Sequence, residues 1–96
     1  MLLSEDNKKI RDTIFSFEER IETMHLEFQK YHQTESQQVP DWERLENELL
    51  RFSGKKILDL ELSSQLDRIL YKFQSRKIIW LKWVEEVHRR PGGDLQ

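Results

Sequence analysis

Ile10, Ile14, Phe17, Ile21, Met24, Phe28 and Tyr31 follow one another at spacings of 4, 3, 4, 3, 4 and 3. A helix that keeps this alternation carries one unbroken apolar stripe, the a/d seam of a coiled coil. The first third of the chain is thereby committed to a long helix that must bury one face. Leu3 and Asn7 extend the stripe backwards, with Asn7 at an a position. Ser4 fits the N-cap, and Glu5 and Asp6 complement the positive end of the helix dipole. The helix is predicted over about residues 4–34, roughly 45 Å at 1.5 Å per residue. Phe15 and Leu26 lie off the seam on a shared outer face and mark a second, weaker contact.

A second stripe of the same kind closes the chain. Leu62, Leu66, Ile69, Phe73, Arg76, Trp80, Trp83 and Val87 again alternate by 4 and 3, which predicts a helix over about 63–90. Ser64 with Asp67 is a partial capping signal for its start. Pro91-Gly92-Gly93 ends it, leaving residues 91–96 as a disordered tail. Between the two seams, the polar Gln33–Val39 stretch reads as a linker. Pro40 fits the first turn of a short helix over about 41–53, carrying Trp42, Leu45, Leu49 and Phe52, with Gly54 as its C′ stop. Ile57 to Leu62 alternates like a strand from Leu58 on but is too brief to form a sheet, and reads as a connector or an early helical turn.

The expected fold is all-α, a single helical domain over residues 1–90. Two long antiparallel helices with coiled-coil-like seams are joined by one short helix. The short helix covers only about half of each seam, so dimerisation into a larger bundle is expected to complete the core.

Composition narrows the function classes. With no cysteine, disulfides and thiolate metal sites are excluded. Met1-Leu2-Leu3 passes at once into Ser4-Glu5-Asp6, which is neither a signal peptide nor a spanning segment, and a soluble cytoplasmic protein is the default reading. The longest apolar run, Ile78 to Leu81, is far short of the ~20 residues a membrane helix needs. Residues 1–50 hold 12 acids and 6 bases, and residues 51–96 hold 6 acids and 10 bases. Opposite halves can attract each other within one chain or across a dimer, or simply be solvated faces.

Two Glu-x-x-His motifs, Glu22/His25 and Glu85/His88, resemble the ligand sets of carboxylate-bridged di-iron bundles. Helical geometry places both glutamates well away from the seams, so no metal is inferred and the histidines read as flanking or surface residues. His32 lies seven residues after His25 and can share its face, where metal binding or pH sensing has no other support in the sequence. No nucleophile–base arrangement or glycine-rich phosphate loop is present. The reading is therefore no enzyme, no cofactor and no small-molecule substrate. Bases and aromatics mix between Tyr71 and Arg90, yet the bases form no single stripe, and nucleic-acid binding through this basic half stays the alternative. A metal-dependent bundle enzyme ranks below it.

Arg76 occupies a core-facing position between Phe73 and Trp80 and needs a partner or a route to water. Glu18, beside the first seam, is the first candidate for a register-setting pair. Residues 78–84, Ile-Ile-Trp-Leu-Lys-Trp-Val, are apolar at six of seven positions. Trp80 and Trp83 belong to the seam. Ile78 points about 160° from Trp80, and Ile79 and Leu81 about 100° to either side. These three, with Phe15 and Leu26, are the expected partner interface. The function expected is a protein–protein interaction module, an adaptor, regulator or assembly subunit, that forms a homodimer.

Overall fold

The computed structural model describes residues 2–34 and 38–90, with side chains described from residue 6 onward. Three helices are present: α1 (Leu2–Thr34), α2 (Trp42–Ser53) and α3 (Leu60–Arg89). Among the described residues there is no strand. The predicted disordered tail and part of the Gln33–Val39 linker lie outside the described residues.

Both sequence seams become core. Ile14, Phe17, Ile21, Phe28 and Tyr31 of α1 meet Leu62, Leu66, Ile69, Phe73 and Trp80 of α3, with Leu45, Leu49 and Phe52 of α2 closing the cluster. Ile10, Met24, Trp83 and Val87 pack at its margin. Aromatic rings fill its upper half. Phe28 stacks on Trp80 at 5.0 Å between centroids, and Phe73 meets Trp80 edge-on at 5.6 Å.

The direction of α3 departs from the expected hairpin. Asn7 reaches Asp59, Glu22 reaches Arg76, His25 reaches Trp80 and His32 reaches Glu86, with separations of 52, 54, 55 and 54 residues. A near-constant difference means that the residue numbers rise together, so α1 and α3 run parallel. The pairs Phe17–Phe52 and Arg20–Glu48 run the other way, so α2 is antiparallel to α1. The fold is up, down, up. The reason is the return path. α2 carries the chain from the level of Glu27 down to that of Phe17. Residues 54–59 cover the remaining ~15 Å to the level of Asn7, within the roughly 20 Å that six extended residues span. The result is a rod of 60 × 16 × 16 Å.

The same path removes the gap expected in the seams. Val39 above α2 and Ile57 below it both pack against the core, so non-helical segments cover the ends that the short helix leaves open.

Several boundaries shift. α1 begins at Leu2, ahead of the Ser4 cap position. Pro40 precedes α2 rather than opening it; Asp41 is the N-cap, accepting from the backbone N–H of Arg44 at 3.2 Å. α3 starts at Leu60, capped by Asp59, whose side chain accepts from the N–H of Leu62 at 3.0 Å. Ile57 to Leu62 is thus connector up to Asp59 and helix thereafter. Gly54 is the C-cap of α2 in a right-handed conformation (φ −77°, ψ −9°), so no left-handed C′ glycine is required there.

Candidate interaction surface

The two flanks of α3 are built differently. One flank lies against α1 and is sewn by charge. Lys72 pairs with Glu22 and, at 3.6 Å, with Glu18. Arg76 donates to Glu22 at 3.3 Å. The partner of Arg76 is therefore Glu22, where the sequence suggested Glu18. The parallel register sets Arg76 level with Glu22 and leaves Glu18 to Lys72. Arg76 keeps about a quarter of its side chain in solvent, so it both pairs and snorkels. A hydrogen bond from Lys72, aided by the Arg76 charge, holds the Glu22 carboxyl below its ordinary pKa against a smaller opposing effect of burial.

Farther up this flank the pairing turns aromatic. The buried indole of Trp80 donates through Nε1 to Nδ1 of His25 at 3.1 Å. His25 lies 5.5 Å from the Trp83 ring, and His32 stacks on Trp83 at 5.1 Å with planes 22° apart. His32 Nε2 meets Glu86 Oε1 at 2.8 Å. Of the two expected positions, flanking or surface, His25 takes the first: it is half-buried beside the seam and holds a core tryptophan. Burial, then the charge of Arg76, lowers its pKa below the ordinary 6.5, while Glu22 acts in the opposite sense.

The flank of α3 toward α2 carries Lys77, which pairs with Glu46 at 2.8 Å and lies over the Trp42 ring at 5.0 Å. Gln74 donates to the same glutamate. Glu85 is engaged by Arg89 one turn on. Lys72, Arg76, Lys77 and Arg89 are thus each matched to a carboxylate.

The outward face of α3, between these flanks, has no such partners. Ile78 is 71% exposed, and Tyr71, seven residues earlier on the same line, is 77% exposed. Ile79 and Leu81 lie on either side at 39% and 41%, so the flanks cover more than half of each. Phe15 and Leu26 are exposed on α1. The parallel register places Leu26 level with residue 80, beside the Ile79 flank. The five expected interface residues therefore divide. Ile78 and Leu81 belong with Tyr71 on the outer ridge of α3, while Ile79, Leu26 and Phe15 lie toward the α1 side. Tyr71 was legible, since its distance to Ile78 is one heptad, but it hides outside the concentrated 78–84 run. Leu50, Leu58 and Leu60 are exposed as well and carried no comparable signal.

Neither a protein-family model, nor a curated protein, nor a solved structure matches the chain. The functional reading therefore rests on this geometry. Among the described residues, no helix is long and apolar enough to cross a membrane, and no group of three or more histidines, cysteines or carboxylates is gathered as a metal site.

Proposed function

We propose that the chain is a non-enzymatic protein–protein interaction module, an adaptor, regulator or assembly subunit, that forms a homodimer through the outer ridge of α3. The observation that carries this reading is the exposure of Tyr71 and Ile78 on one line of a helix whose two flanks are already engaged. Burying a large apolar side chain is worth ~1.5–3 kcal/mol, so the ridge offers substantial association energy.

Spacing favours a second copy as the occupant. Tyr71, Gln74, Ile78 and Leu81 repeat the 3, 4, 3 alternation of a seam that runs along the outer line of α3 and its edge toward α2, where Gln74 also donates to Glu46. In an antiparallel two-fold pairing, a positions face d positions. Tyr71 then meets the partner's Leu81, and Ile78 meets the partner's Gln74. Both exposed residues are covered by a single symmetric contact.

Because the chain has no cysteine, single-site labelling is direct. Ile78→Cys treated with a short bismaleimide is expected to give cross-linked dimer far faster than Glu19→Cys, a control on the exposed back of α1. Equal rates at the two sites would remove the α3 ridge as the self-association surface.

A further inference from the structure

The indole N–H of Trp80 can only donate, and Nδ1 of His25 stands 3.1 Å from it. Nδ1 must therefore be the unprotonated nitrogen, with the proton of the neutral ring on Nε2. A second proton on His25 would place an N–H at Nδ1, facing the N–H of Trp80. Trp80 is fully buried, so its donor would lose its acceptor where water cannot replace it. An unpaired buried donor is strongly disfavoured. The consequence would reach beyond one bond. Trp80 stacks on Phe28 and meets Phe73, and His25 also packs on Trp83. His25 and His32 are about 10.5 Å apart along α1, one heptad, which sets the Trp83 ring between them.

The charges around His25 are Glu22 on its own helix and Arg76 on α3, with Lys72 neutralising Glu22 from the same side. His32 and Glu86 follow one heptad up, on α1 and α3. α2 approaches α1 along Arg20, Thr23, Met24 and Glu27, around the helix from His25. The carboxylate that would welcome an imidazolium is thus already committed to two cations.

We infer that His25 is a proton-operated latch on Trp80: the neutral ring fastens α1 to α3 at the level of the two tryptophans, and its protonation releases that end of the bundle. The direction of the linkage follows from the lowered basicity of the folded-state ring. The unfolded chain takes up the proton first as pH falls, near 6.5. Stability is therefore full above pH 6.5 and declines as pH drops from there toward the folded-state pKa. Glu22 and Glu48, whose carboxyls lie below 4.5, titrate outside this window.

The test is NMR of the wild-type chain between pH 8 and 5, following the His25 ring nitrogens and the three indole N–H signals. The expected result is a His25 midpoint below 6.5 and a Trp80 indole signal that shifts and loses exchange protection with that midpoint. The Trp42 signal should stay fixed. The folded-to-unfolded ratio should fall about tenfold across the window for each unit by which the midpoint lies under 6.5. His25→Gln, whose amide oxygen can accept from Trp80 without titrating, should abolish the fall. A His25 midpoint at or above 6.5, or a Trp80 signal unmoved while His25 titrates, would overturn the latch. So would an undiminished acid-side loss in His25→Gln.

Discussion

Phe73 and Trp80 lie seven residues apart on α3, and so do Tyr71 and Ile78. Neither member of the first pair has any exposed surface, whereas the second pair is more than two-thirds exposed. Both pairs are large and apolar, on one helix and within ten residues of each other. What separates them is the direction each line faces in the up, down, up arrangement. α1 and α2 take the inner line and seal both flanks with ion pairs, leaving the outer line uncovered. Hydrophobicity told where apolar surface exists; only the bundle's topology told which of it is spent.

Urea denaturation of alanine variants in the two lines gives the largest expected contrast. Trp80→Ala removes a ring stacked in the core and should cost about 3–5 kcal/mol. Ile78→Ala, measured in dilute solution, should change stability by no more than about 0.5 kcal/mol. Comparable losses would mean that the outer line is part of the folding core after all.

The start of α3 is anchored by its cap. Asp59 caps that helix and accepts a hydrogen bond from Asn7 at 3.5 Å, tying it to the base of α1. Asp59→Ala should lower the thermal midpoint by an amount corresponding to about 1 kcal/mol. An unchanged midpoint would place the register elsewhere, in the packing alone.

A smaller effect is expected at the sewn flank. Arg76→Leu should leave thermal stability within about 1 kcal/mol of wild type or raise it, because partly exposed ion pairs contribute little and Glu22 retains Lys72. Loss of folding in this variant would show the pair to be essential to the seam rather than a marker of register.

Much of the core was legible because a helix repeats: every residue of the 4, 3 alternation from Ile10 to Tyr31 is buried in the core or packs at its edge. Chain direction was not legible. Spacing within a helix says nothing of which way its neighbour runs. Near the midpoint, parallel and antiparallel registers coincide, so Arg76 falls opposite Glu18–Glu22 in either. His32 with Glu86 separates the two arrangements, and nothing in the local sequence advertises that pair. His25 escaped for a related reason. It flanks the seam beside Ile21 and Phe28, but nothing in that spacing names its partner, an indole 55 residues away. Of the exposed apolar surface, the 78–84 run is legible by its concentration, while Tyr71 stands out only once the outward face of α3 is known.

The most direct measurement is molar mass in solution by light scattering over a range of concentrations, on the wild type and on Ile78→Glu. Self-association through the ridge should bring the wild type toward twice the 11.8 kDa chain mass as concentration rises, while the variant stays at one chain and retains its helical signal. A wild type that remains at 11.8 kDa throughout, with Ile78→Glu indistinguishable from it, would contradict self-association through the α3 ridge.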